Sequence, residues 1–131
     1  MTTDPIADMI IRVKNATMAG RDTVSVPMSN MKLAIAEKLK QRGLFADVAT
    51  HGKHTEKSIE ITFAKDENGA FRFSDVRRVS KPGCRVYVGA GDIKPVRGGS
   101  GALVISTPKG IMFGEEARKQ HVGGEALFEI W

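Results

Sequence analysis

Apolar positions recur along this chain with two periods, and the change from one to the other marks two kinds of structure. Ile6, Met9, Ile10 and Val13 fall at i, i+3, i+4 and i+7, which predicts an amphipathic helix ending near Gly20. Asp4 followed by Pro5 starts it well, an N-cap acceptor and then a residue with no N–H to satisfy. Thr23-Val24-Ser25-Val26 alternates and stops at Pro27, as a short strand does. Ser29 caps a second helix, Asn30 to Arg42, with a stripe of Met28, Met31, Ile35 and Leu39; Gly43 closes it in the left-handed conformation, and Leu44 follows for a Schellman contact. Asp47 to Thr50 and Ser58 to Phe63 flank His51-Gly52-Lys53-His54, so a hairpin is expected with Ile59, Ile61 and Phe63 facing the helices.

Polar Lys65-Asp66-Glu67-Asn68-Gly69 reads as a junction, and beyond it strands alternate with glycine-rich turns. Phe71 and Phe73 share one side of a strand. Lys81-Pro82-Gly83 is a turn, and the strand after it points Cys84, Val86 and Val88 one way and Arg85 and Tyr87 the other. A flexible, basic loop spans 89–101. Ala102-Leu103-Val104-Ile105 is a buried strand, Glu115 to Gln120 a short helix, and Glu125 to Trp131 a last strand with Ala126, Phe128 and Ile130 on one face. The pattern predicts an α+β protein of two small packed lobes. Residues 1–67 form an N-terminal α/β lobe, two helices on a three-stranded sheet; residues 68–131 form a C-terminal, mostly β lobe with a short helix.

Charge narrows the partners. Twenty Lys and Arg against 15 Asp and Glu give a net charge of +5 over 131 residues, which points to a polyanion. Arg72, Arg77, Arg78, Lys81, Arg85, Lys94 and Arg97, set against Asp75 and Asp92, carry an excess equal to that of the whole chain. Such a field speeds encounter with phosphate backbones and makes affinity fall with salt. Cys84 is the single cysteine, so no intrachain disulfide is expected; on the apolar side of its strand it reads as a structural thiol in a reducing compartment. No apolar run approaches the roughly 20 residues of a membrane span, and Met1-Thr2-Thr3-Asp4 lacks the basic start of a secretory signal, so the cytoplasm is expected.

Catalytic chemistry finds little support. His51 and His54 stand in a turn without cysteines or acids at ligand spacing, His121 is isolated, and the 89–101 loop lacks a Walker lysine. No catalytic residue, metal, cofactor or small-molecule substrate is expected, and no membrane partner. A sequence-tolerant single-strand binder would need several exposed aromatics, and Tyr87 is the chief candidate.

The densest hydrogen-bonding chemistry lies in Ser106-Thr107-Pro108-Lys109-Gly110, where the 102–105 strand leaves the core. Both hydroxyls are expected to emerge there. They can donate and accept at base edges and ribose 2′-hydroxyls, Lys109 offers a charge to phosphate, and Pro108 stiffens the loop. Arg85 beside Tyr87 can pair with phosphate and stack on a base or sugar. Structured RNA is the ligand this chemistry fits.

Several blocks then become recognisable: Asp4-Pro5-Ile6-Ala7-Asp8-Met9, Arg12-Val13-Lys14-Asn15-Ala16, Val79-Ser80-Lys81-Pro82-Gly83 with Arg85-Val86-Tyr87, Ser106-Thr107-Pro108-Lys109-Gly110, Glu116-Ala117-Arg118-Lys119 and Val122-Gly123-Gly124-Glu125. In this order and from end to end the chain resembles the bacterial form of small-subunit ribosomal protein eight. The resemblance implies a structural constituent of the small ribosomal subunit that binds the central domain of small-subunit (16S) ribosomal RNA and helps assemble the platform, near proteins five and twelve. Some family members also repress their own operon by binding its messenger RNA, which makes that messenger a further expected partner. The resemblance implies RNA contacts at Ser106, Thr107, Lys109, Tyr87 and Glu125, with Lys14 and Asn15 as secondary contacts on the first helix; Pro108 and Gly110 of the same loop, Gly124 beside Glu125, and Arg78, Lys81 and Arg85 of the basic strip complete the expected RNA-binding residues. Phe113-Gly114 stands where the family usually has a Thr-Asp helix cap, so a less firm start of the last helix is expected.

Overall fold

The structure is a computed structural model that describes residues 4–131; Met1 to Thr3, read above for a leader, lie outside the described residues. Two compact units divide the described residues, one of residues 8–73 and one that joins residues 4–7 with 74–131. The architecture is α+β, with both sheets antiparallel.

Helix α1 is Pro5–Met18, and the Asp4 carboxylate caps it by accepting the Ala7 N–H at 3.1 Å. Met9, Ile10, Val13 and Ala16 form its buried stripe in the first unit. The sheet of that unit has the order β1 (Thr23–Pro27), β3 (Ser58–Phe63), β2 (Phe45–His51). Ile59, Ile61 and Phe63 are buried on one face of its central strand, as alternation predicts.

Helix α2 is Asn30–Gln41. The Ser29 hydroxyl accepts the Lys32 N–H at 3.2 Å, and at the other end Gly43, at φ 86°, donates to Lys40 while Leu44 donates to Leu39, which completes a Schellman ending. Its buried stripe is Lys32, Ile35, Ala36 and Leu39, and the expected member Met31 is 42% exposed. Both sets share Ile35 and Leu39; the small Ala36 lets that face approach the core, and the aliphatic stem of Lys32 covers what a methionine was expected to cover. Burial pushes the Lys32 amine below its ordinary value and nearby Arg12 adds to this, against the raising effect of Asp8.

The strand expected around Phe71 and Phe73 does not form. The Asp66 carboxylate accepts the N–H groups of Asn68 and Ala70 at 2.8 and 3.0 Å, so the segment folds back on itself and meets Lys65 at Phe71 through a single bridge. Phe71 and Phe73 then pack edge-on against Phe63, with ring centroids 5.6 and 6.0 Å away.

The second unit is built on β8 (Gly124–Ile130). One side of it pairs with β4 (Val76–Arg78) and then with β5 (Tyr87–Val88); the other pairs with β6 (Ala102–Thr107), which pairs in turn with β7 (Gly110–Phe113). The alternation expected in β8 is hidden at its centre, where Ala126, Leu127 and Phe128 are all buried. Helix α3, Gly114–Lys119, adds Ala117 to a core of Ile93, Ile105 and Met112. Its start, expected to be less firm, is held by the Glu116 carboxylate, which reaches back to accept the Phe113 N–H at 3.1 Å. The 89–101 loop is also more ordered than its glycines imply. Ile93 and Val96 bury their side chains, and the Arg97 guanidinium lies 4.2 Å from the Trp131 ring centroid.

Strand β8 approaches β6 so closely at Gly124 that a Cβ there would stand 2.1 Å from the Ser106 carbonyl oxygen. Backbone cannot yield as a flexible side chain does. Gly124→Ala should therefore cost about 1 to 3 kcal/mol by overpacking, measured by urea denaturation; a loss below about 0.5 kcal/mol would mean that the two strands separate freely.

Candidate nucleic-acid interface

The β6–β7 hairpin turns through two residues, Pro108 and Lys109, between the paired Thr107 and Gly110. Neither Pro108 nor Lys109 takes a positive φ, whereas Gly110 does, at 116°. A turn with right-handed central residues splays its strands, and a glycine just beyond it absorbs the mismatch. Thr107 locks this arrangement. Its hydroxyl donates to the Gly110 carbonyl at 2.8 Å and accepts the Lys109 N–H at 3.1 Å, and the residue is only 9% exposed. The expectation that both hydroxyls emerge is therefore corrected: a threonine oxygen able to bridge a two-residue turn satisfies the local backbone first. Ser106 is half-exposed, Pro108, Lys109 and Gly110 are exposed, and among the described residues no side-chain hydrogen bond engages Ser106.

Register carries the chemistry across the sheet. Ser106 of β6 stands opposite Glu125 of β8, and Glu125 opposite Tyr87 of β5. Directly paired antiparallel residues share a face, so serine, carboxylate and phenol form one row over three strands. Tyr87 is 70% exposed. Gly124 pairs with Val88 beside the row, and its missing side chain lets β6 and β8 close up.

Glu125 is held from the segment that leads into β5. The Ser80 N–H donates to the Ala126 carbonyl and the Ala126 N–H to that of Val86, both at 2.9 Å, which pins both ends of the segment to β8. Between them Lys81 and Cys84 exchange backbone hydrogen bonds across Pro82 and Gly83, with Gly83 at φ 84°, as a proline-glycine turn requires. Cys84 is consequently exposed, contrary to its expected place on the apolar side of a strand. Strand pairing begins only at Tyr87, and Cys84 serves to close the turn. Within the segment the fully buried Ser80 hydroxyl accepts the Val86 N–H at 3.0 Å and donates to Glu125 Oε2 at 2.5 Å; Arg85 Nη1 donates to the same oxygen at 3.0 Å. Burial alone would raise the Glu125 carboxyl, but the hydrogen bonds from Ser80 and Arg85 and the fields of Arg85 and Arg78 outweigh it and bring it below the ordinary glutamate range. Arg85 is raised in return, chiefly by its hydrogen bond to Glu125.

The basic strip is partly neutralised inside the protein. Arg78 directs Nε and Nη2 to the two oxygens of Asp4, each at 3.1 Å, and Nη1 to the Leu127 carbonyl at 2.7 Å, with most of its side chain buried. Burial tends to raise the Asp4 carboxyl, yet Arg78 and the N–H groups of the helix start hold it below its usual value. Arg77 pairs with Glu129. Lys81 lies exposed on the proline-glycine turn. Arg72, the first member of the strip, belongs to the other unit, as do Lys14 and Asn15 on α1. Lys14 is half-buried; Asn15 is exposed and lines an open groove with Arg12, Arg21 and Glu60. Sequence reasoning gave Ser80 no role of its own; its only signal is its place just before Lys81-Pro82-Gly83. Among the described residues no cluster of three or more metal-ligating side chains occurs, and no helix is long and apolar enough to cross a membrane.

The family described as Ribosomal protein S8 matches residues 4–131. The small ribosomal subunit protein uS8 of Solibacter usitatus is 44% identical over 131 residues, all of this chain and all of its own. That of Nitratidesulfovibrio vulgaris is 48% identical over the full length of both chains, and that of Dehalococcoides mccartyi 43%. Fold and matches together define a structural, non-enzymatic protein of the small ribosomal subunit, in the cytoplasmic ribosome. The chain belongs to the Ribosomal protein S8 family.

The depressed Glu125 carboxyl fixes the sign of a pH effect. A folded-state value below the ordinary 4.5 adds stability that is fully present above that pH and is lost as pH falls through the folded value. Glu125→Gln should thus melt below wild type at neutral pH, and the gap should narrow on acidification below the ordinary glutamate range. Thermal melts between neutral and acid pH read this directly, and a gap independent of pH would remove the charge from the account.

Proposed function

We propose that this chain is a primary binder of the central domain of small-subunit (16S) ribosomal RNA and helps assemble the platform of the subunit, with its main RNA site in the C-terminal lobe. The observation that carries the reading is the braced 107–110 corner set beside the row Ser106, Glu125, Tyr87. A turn already locked in the free protein loses little entropy when it binds. Lys109 and Lys81 reach phosphates, while Ser106 and Glu125 face groups that donate or accept hydrogen bonds.

The carboxylate favours one kind of RNA recognition over another. A negative charge in mid-row repels phosphate and accepts only from donors, so it favours a base edge or a sugar hydroxyl in a particular position. A sequence-tolerant binder would instead line its groove with cations and stacking rings. Among the described residues Tyr87 is the one exposed large aromatic. Recognition of an irregular, folded helix fits this surface better. Arg85 supplies a nearby cation, Gly124 the close strand approach, and Lys14 and Asn15 on α1 secondary contacts. Arg78, engaged with Asp4, contributes to the site mainly by holding β4 to the helix start.

Proteins five and twelve are the proposed protein neighbours in the subunit. The messenger of the chain's own operon is a second proposed ligand, recognised through the same corner by an imitation of the ribosomal site.

Footprinting on a transcript of the central domain tests the reading, with protection of one irregular helix expected and uniform protection against it. Lys109→Ala should weaken binding to correct and mutated helices alike and lower the salt slope by about one. Ser106→Ala should narrow the discrimination between those helices. Thr107→Ala should weaken binding about fivefold through a looser turn, with the salt slope unchanged. Indistinguishable effects of the three changes would contradict this division of roles.

A further inference from the structure

We infer that Ser80 is a positioning residue of the RNA site: its buried hydroxyl fixes Glu125 by one oxygen and so presents the other to a donor on the RNA, a base amino or imino group or a ribose 2′-hydroxyl. The inference rests on the row Ser106, Glu125, Tyr87 being an RNA-contact surface, as proposed above.

A serine hydroxyl has one proton to give. At Ser80 the Val86 N–H, 3.0 Å away, occupies a lone pair, and the remaining proton is committed to Glu125 Oε2. Arg85 Nη1 converges on that same oxygen. Among the described residues no hydrogen bond engages Oε1, and Glu125 keeps part of its surface accessible. One side of the carboxylate is therefore saturated from within and the other is left to accept.

The two anchors differ in kind. Arg85 has a side chain 51% exposed and can turn toward a phosphate, whereas Ser80 is wholly enclosed and has nowhere else to donate. Glu125 thus stays placed even when RNA draws Arg85 away. The same hydroxyl ties the row to the turn that carries Lys81, because Val86 and Ser80 close the base of that segment. Ser80 and Arg78 face Glu125 from before the turn, Arg85 and Tyr87 from after it, and neutral Ser106 from β6.

The test uses the full chain and a transcript of the central-domain helix. In the free protein, carbon-13 NMR follows titration of the Glu125 side-chain carboxyl. Ser80→Ala should move its midpoint to higher pH while the Arg85 pairing persists; an unmoved midpoint overturns the inference. In the complex at neutral pH, Ser80→Ala and Glu125→Gln should each weaken binding about tenfold. Carrying both changes, the protein should bind no worse than Glu125→Gln alone, and full additivity overturns a role exerted through Glu125. Should Ser80→Ala fail to fold, Ser80→Cys, which leaves no cavity and weakens the donor, gives the same readings. Wild-type affinity in Glu125→Gln would instead remove the row from the RNA surface, and the functional reading would fall along with this one.

Discussion

A carboxylate held between a buried hydroxyl and a guanidinium is the interaction on which the second unit of this protein turns. Glu125 lies in the strand that every other strand of its sheet must reach directly or through β6, and the segment holding it is pinned to that strand at both ends. A lone carboxylate at such a depth would be costly. Ser80 and Arg85 offset that cost at one oxygen, with Arg78 adding its field. The result is an acid that stays charged and oriented, flanked by a serine on one strand and a tyrosine on another.

Three turns and loops of the second unit are braced by side chains or fixed φ values. Thr107 bridges the hairpin turn, Pro82 and Gly83 fix the turn before β5, and the guanidinium of Arg97 covers Trp131 beside the glycine-rich loop. The first two devices are local, and the third joins a loop residue to the end of the chain. A surface prepared in this way can meet a ligand with little reorganisation.

The elements legible in the sequence are those whose causes are local. Asp4-Pro5, Ser29 and Gly43-Leu44 mark helix ends through bonds to residues at most five positions away, and the structure makes each bond. What escaped notice depends on partners far along the chain. Cys84 was expected inside because alternation extends a strand backward, but its ladder starts only where β8 is available to pair with Tyr87. β7 has no signature beyond Ile111-Met112-Phe113 and exists because β6 is beside it. Thr107 turned inward because the turn's own backbone offered a donor and an acceptor within reach, and Ser80 is buried by a strand more than forty residues later. Chemistry-bearing residue types could be picked out from sequence; whether each spends its hydrogen bonds inward or outward could not.

The place of β8 also has a kinetic meaning. It follows in the chain all the strands it joins, so apart from the β6–β7 hairpin nothing in this sheet can pair before it docks. Such wiring has high contact order and favours late, concerted closure. Tyr87, Ser106 and Glu125 therefore come into register only once β8 has docked. A partly folded chain in which β8 is still undocked displays cations and a hairpin but no aligned row.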